Sequence, residues 1–250
     1  MGNVICSEFI KLKKSFIIPL VLIGGIFLPA MYFCSHLNMD YETIRRSTSA
    51  TDILSNINIM QIQFLNTVLF SLIGAYVFSR EYSNKTADVL YSYSISRIKI
   101  FIGKFTVIFA LILVVYFINI SGSLITIGAS LGWDEAKSIF SLEFKTCLIS
   151  ALLQILILPL PILIGILSKN IVLPVIFGVI GSVTSMFMMM TEVYMQLSPF
   201  MIPALPFYHF FRGDPVDYIA VTLSSGIVFL GSIAGIIFYL KNCDIDKKEG

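Results

Sequence analysis

The side chains able to do chemistry in this chain are concentrated in two short stretches. One runs from Arg80-Glu81 through Lys85-Thr86 and Asp88 to Arg97, Lys99 and Gly103-Lys104; the other holds Glu8, Lys11, Lys13 and Lys14. Lys85 follows Glu81 by four positions and Asp88 follows Lys85 by three, so a helix would bring acids and bases within pairing reach. Val89, Leu90 and Tyr93 add apolar side chains to a segment that should otherwise be polar. Charges mixed with aromatic and aliphatic groups are the chemistry of protein docking. Charge alone would be the ordinary basic decoration of a membrane loop.

Bond-making chemistry lacks its parts. A phosphate-cradling G-x-x-x-x-G-K loop needs a glycine five positions before Gly103; that position is Ile98, and no other Gly-Lys pair occurs. The two histidines, His36 and His209, form no H-E-x-x-H pattern. Cys6, Cys34, Cys147 and Cys243 lack ligand spacing and read as small apolar fillers or bystanders. No metal, cofactor or catalytic set is therefore expected in this chain.

The elements that position these residues follow from composition. Hydrophobic residues make up 57% of the chain and charged residues 13%, with a mean hydropathy of +0.89. Soluble domains are about 45–50% apolar and about 25% charged, so lipid must serve as the solvent. The net charge of +2 and the absence of a basic run with interleaved aromatics argue against a nucleic-acid partner. Six stretches are apolar over the ~20 residues a bilayer core requires. They cover about 15–34, 59–79, 101–131, 144–167, 171–190 and 218–240. Lys104, Lys145 and Glu192 fall at span ends, so no ionisable group is expected inside the bundle; Asn119, Gln154, Thr184 and Ser185 are the expected interior polar groups.

Orientation follows from the basic residues. With the N-terminus cytoplasmic, the inner side holds Lys11, Lys13, Lys14, Arg80, Lys85, Arg97, Lys99, Lys104, Lys169, Lys241, Lys247 and Lys248. The outer side then holds Arg45, Arg46, Lys137, Lys145 and Arg212. This is a positive-inside bias, and an even number of spans puts both termini in the cytoplasm.

Several segments read in two ways. Residues 1–14 suit a helix lying in the membrane interface or a polar lead-in with orienting lysines. Residues 191–217, an apolar stretch punctuated by Pro199, Pro203 and Pro206, either re-enter the membrane or form an amphipathic outer loop. Pro19, Pro29, Pro159, Pro161 and Pro174 mark a bent bundle or hinges. The clustered Met186, Met188, Met189 and Met190 suit a lipid-facing stripe or an adaptable binding surface. The glycine pairs Gly128/Gly132 and Gly231/Gly235 would permit close helix packing.

The stretch from 80 to 104 resembles the cytoplasmic loop of ABC-2 type permeases, the membrane subunits of many bacterial ABC exporters. The matching positions are Glu81, Lys85-Thr86, Val89-Leu90, Ser94-Ile95-Ser96-Arg97 and Gly103-Lys104, and Glu8…Lys11-Leu12-Lys13-Lys14 is similar to the family's amphipathic lead-in. Ser94 stands where the family usually has proline. The resemblance implies an all-α membrane protein with one domain over 1–250. It would be a six-transmembrane-helix bundle with cytoplasmic termini, an N-terminal interfacial helix and a coupling helix over 80–100.

It also implies that a partner ABC ATPase binds and hydrolyses ATP with magnesium, while this chain binds no cofactor. A second permease subunit would complete the membrane dimer in the bacterial cell membrane. Arg80, Glu81, Lys85, Thr86, Asp88, Arg97 and Lys104 become candidate ATPase-docking residues, with Glu8, Lys11, Lys13 and Lys14 on the interface helix. Small permeases of this kind resemble those serving bacitracin and lantibiotic resistance, so the expected cargo is an antimicrobial peptide or another amphipathic, lipid-like compound. The rival readings are an ATP-independent channel or secondary carrier, or a membrane sensor or immunity protein. A carrier would need a buried functional charge.

Overall fold

A computed structural model describes residues 2–13, 15–36, 48–83 and 96–242. Lys14, Lys85, Thr86 and Asp88 lie outside the described residues, as does most of the coupling helix expected over 80–100. Every regular element described is helical. Helix α1 spans Gly2–Lys13 and α2 Ile17–His36. Helix α3, Ala50–Met60, runs through a π-helical turn at Gln61–Asn66 into α4, Thr67–Ser83. Then come α5 (Arg97–Ser130), α6 (Trp133–Ile157), α7 (Pro159–Ser168) and α8 (Val172–Met188). Helix α9 (Glu192–Leu197) and short turns from Ile202 to Arg212 lead to α10 (Tyr218–Asn242).

Among the described residues, five stretches are long and apolar enough to cross a membrane: Ile17–His36, Ala50–Glu81, Arg97–Ser130, Trp133–Ser168 and Tyr218–Asn242. The stretch expected as a span over 171–190 is the 17-residue α8, a shorter apolar helix. At 1.5 Å per residue it measures about 26 Å, below the ~30 Å hydrocarbon core.

Two helix starts differ from the sequence expectation. The second span begins near Ala50 rather than 59. Ser49 and Asp52 form a reciprocal capping box, and Ile53, Leu54 and Ile57 bury the new turns. The fourth begins at Trp133 rather than 144. Gly132 takes φ 108°, a backbone conformation open to glycine, and turns the chain directly into α6. Gly128 then seats the Trp133 ring, which lies 2.7 Å from where a Cβ would stand. This glycine pair makes a turn and a seat, not the helix-helix contact its spacing suggested.

Small residues elsewhere do set helix contacts. Helix α2 packs along α5, where a Cβ on Gly25 would lie 2.9 Å from the Ile118 side chain and 3.0 Å from the Val115 carbonyl. Pro29 of α2 rests over Gly122, and Thr126 Oγ1 donates to the Pro29 carbonyl at 3.1 Å. Pro159 and Pro161 interrupt the ladder at Leu158 and separate α6 from α7. Helix α8 lies against α4, with Gly178 over Ser71. The turns from Ile202 to Arg212 fold against α6 and bury Ile202, Leu205, Phe207 and Tyr208.

Gly25→Val should lower the melting temperature of the detergent-solubilised protein by several degrees, since overpacking costs about 1–3 kcal/mol. Gly231→Ala, where nothing lies within 4 Å of the added methyl, should leave it unchanged or slightly raised. Equal effects of the two would contradict the α2–α5 contact.

Candidate functional site

The two charged stretches picked out in the sequence meet in space. Glu8 and Lys11 stand three apart on α1 and share one face, with Lys11 Nζ 2.6 Å from Glu8 Oε1. Glu81, in the last turn of α4, presents Oε1 to Lys11 at 3.0 Å and Oε2 to Lys104 at 2.9 Å. Lys104, in the third turn of α5, also lies 3.7 Å from Glu8 Oε2 and donates to the Val77 carbonyl at 2.8 Å. Two lysines thus bridge two carboxylates in a closed, neutral set. Lys104, Glu8 and Glu81 are buried, with Lys104 only 1% exposed.

The close approach of α1 to α5 has a local cause. Val4 occupies the space a side chain on Gly103 would need, at 2.8 Å. Leu12 is buried beneath the cluster, and the Phe78 ring lies 5.6 Å from the Lys104 amine. Arg80 donates to the Lys11 carbonyl at 3.2 Å, tying α4 to α1. Arg97 donates to the Leu240 carbonyl at 3.0 Å, tying the start of α5 to the end of α10. Lys13 is exposed. Of the candidate docking residues, Glu81 and Lys104 therefore face inward, while Arg80 and Arg97 are half-buried at the rim.

Burial opposes the charge on Lys11, but its hydrogen bonds and the charges of Glu8 and Glu81 outweigh that cost and raise its pKa above the ordinary 10.5. The folded value lies above the unfolded one. Its stabilisation is thus complete below about 10.5 and is lost as pH rises through the folded value.

A second polar site lies inside the bundle, on elements the sequence reading counted as outer loop. Glu143 of α6 is fully buried, which overturns the expectation that ionisable groups stay at span ends. Starting the helix at Trp133 places it ten residues in, about 15 Å along the axis. Asn58 Nδ2 donates to Glu143 Oε1 at 2.9 Å, and the Cys147 thiol stands 3.5 Å from the same oxygen. Glu143 Oε2 has no hydrogen-bond partner among the described residues.

Buried groups continue along two helix faces: Glu143, Cys147, Ser150 and Gln154 on α6, and Asn119, Ser123, Thr126 and Ser130 on α5. Both runs follow i, i+4, i+7, i+11 spacing, the signal that could have revealed them. The π-helical turn supplies Gln61, which donates to the Gly24 carbonyl at 2.8 Å and to Asn66 at 3.1 Å, and Gln63, which donates to Tyr208 at 3.0 Å. His209, expected to be structural, sets Nδ1 3.1 Å from the Asp214 carbonyl oxygen.

Among known proteins, the family described as ABC-2 family transporter protein matches residues 4–185. A relative, the bacitracin transport permease protein of Bacillus licheniformis, is 29% identical over 199 residues, covering 78% of this chain and 93% of that protein. No solved structure matches the chain.

Lys104→Met should destabilise the protein by about 3–5 kcal/mol, because it strands a buried carboxylate. Adding Glu81→Gln should restore part of the loss, as read by thermal melting in a double-mutant cycle. Additive losses would show that the two groups do not interact. Between pH 9 and pH 12, wild type should lose more stability than Lys11→Met, whose melting curve lacks this lysine's contribution.

Proposed function

Because the chain belongs to the ABC-2 family of transporter proteins, we propose that it is the permease subunit of an ATP-driven exporter whose ATPase is a separate polypeptide. It is a multi-pass protein of the bacterial cell membrane. The observation that carries the exporter reading is the ion cluster of Glu8, Lys11, Glu81 and Lys104. It joins the helices on both sides of the loop at 84–95, and the N-terminal helix with them. Force applied to that loop would reach α1, α4 and α5 together, as rigid-body coupling requires.

In this reading Glu81 and Lys104 hold the frame, and the contact with the ATPase falls to Lys85, Thr86 and Asp88, with Arg80, Arg97 and the exposed Lys99 at the rim. The helices supply six crossings when α8 is counted, with both termini in the cytoplasm. A second permease subunit, identical or related, packs beside this one. The cargo is an amphipathic compound of the antimicrobial-peptide class. Support for that cargo is the relative named for bacitracin transport, together with an interior that joins apolar surface to a few polar groups.

Co-purification with a co-expressed ABC ATPase from the same genome tests the assembly. Wild type should carry the ATPase through size exclusion. Lys85→Glu with Asp88→Lys should lose it while keeping its melting temperature. A wild type that never retains an ATPase would sink the exporter reading. The cargo has its own test: deleting the gene should make cells at least several-fold more sensitive to bacitracin-class peptides, and unchanged sensitivity would remove that class.

A further inference from the structure

On the outward-facing side of α5 and α6 lies an apolar groove of about 380 Å³, walled by the exposed Leu113, Phe117, Phe144 and Leu148 and floored by Tyr116 and Cys147. Its size falls within the ~300–1,000 Å³ of small-molecule sites. One feature separates it from an ordinary dent between apolar helices. Behind the floor stands the Glu143 carboxyl, joined to it through the Cys147 thiol at 3.5 Å, with Oε2 unpartnered.

A buried carboxyl with one oxygen unmet attracts a cation that can bring its own apolar surroundings. Among the described residues, Lys145 and Arg212 are engaged elsewhere. Lys145 lies 4.9 Å from the Phe210 ring, and Arg212 donates to Asn56 at 2.9 Å and lies over Tyr208. A small hydrated ion would have to cross the apolar groove or the bundle to arrive, whereas an amphiphile dissolved in the membrane meets the groove laterally.

We propose that Glu143, held by Asn58, forms a recognition site for the primary ammonium of an amphiphilic cargo whose apolar body lies in the α5–α6 groove. This rests on the amphipathic-cargo reading above and narrows it to amine-bearing amphiphiles. Asn58 holds one carboxylate oxygen at 2.9 Å and leaves the other for the ammonium. The apolar walls supply affinity for the tail, and the acid supplies discrimination against neutral or anionic head groups, since a buried charge is met best by its opposite.

The test uses the full chain in lipid nanodiscs and a photoreactive twelve-carbon primary amine, with the alcohol of the same tail as the control probe. Cross-linked peptides are mapped by mass spectrometry. The amine should label Leu113–Ile120 and Phe144–Ala151, and unlabelled dodecylamine should compete while dodecanol does not. Glu143→Gln, which keeps the size and the Asn58 acceptor, should cut amine labelling at least tenfold and leave alcohol labelling unchanged. Leu148→Trp, a substitution in the half-exposed wall, should block both probes if the groove is the seat, and serves if Glu143→Gln fails to fold. Equal labelling by amine and alcohol, amine labelling unaffected by Glu143→Gln, or no label in the groove would each overturn the proposal. Labelling needs neither ATPase nor ATP, so its failure and a failed co-purification are separate results.

Discussion

Lys104 has 1% of its surface exposed, and an ammonium so placed is stable only where its charge is met on several sides at once. Glu81, Glu8, the Val77 carbonyl and the Phe78 ring meet it. These groups come from α1 and α4 while Lys104 stands on α5, so the electrostatic requirement is also a geometric one. Helix α1 cannot leave its place on α5 without leaving Lys104 and Glu81 each short of a partner. The Gly103 notch that admits Val4 and the Arg80 bond to the Lys11 carbonyl hold the same three helices from either side. Residues 2–13, whose sequence suits either an interfacial helix or a polar lead-in, form a helix fixed to the ends of two spans.

Away from this cluster, packing rather than charge sets the arrangement. Lipid gives apolar side chains little reason to prefer one another over acyl chains, so close contact must come from shape and from polar groups that need partners. Gly25 and Gly122 let α2 and α5 approach to backbone distance, and Thr126 adds a hydrogen bond where Pro29 has bent the partner helix. Ser79 uses the same device at the other end of α4, donating to the Gly165 carbonyl at 3.1 Å. Each of these contacts joins a small residue to a proline or a backbone carbonyl, so the prolines act as docking features of a bent bundle. The hinge alternative finds no separate feature to support it among the described residues.

Much of the architecture was legible from composition and spacing. The long apolar runs located the spans, and Glu8/Lys11 at helical spacing already announced one of the four ion pairs in the cluster. The other three join residues 23, 70 and 96 positions apart, and no local pattern states which distant charges will meet. Two helices start earlier than the apolar runs alone place them. Ser49-x-x-Asp52 is the start signal of α3, ahead of the apolar stretch that begins near 59. Glu143 stands one residue before the apolar stretch that begins near 144. Its membership in a polar face with Cys147, Ser150 and Gln154 was visible in the spacing, yet it became decisive only once α6 began at Trp133.

The π-helical turn at Gln61–Asn66 shows what the interior polar groups ask of the backbone. Gln61 and Gln63, two positions apart, leave the helix on nearly opposite sides, and each finds a partner there: Gln61 reaches α2 and Gln63 reaches Tyr208, both buried. Thr67 donates to the Ile62 carbonyl five residues back. Even so, Gln61, Gln63, Asn119, Ser123, Ser150 and Glu143 each have at least one polar atom without a partner among the described residues. All of them lie on the π-helical turn, α5 and α6. Each such atom costs about 1–3 kcal/mol where an apolar side chain would cost nothing. A bundle selected for stability alone would have replaced them. Their concentration on three facing elements locates the part of the fold that departs furthest from its most stable form, and such departures belong to sites that bind or move.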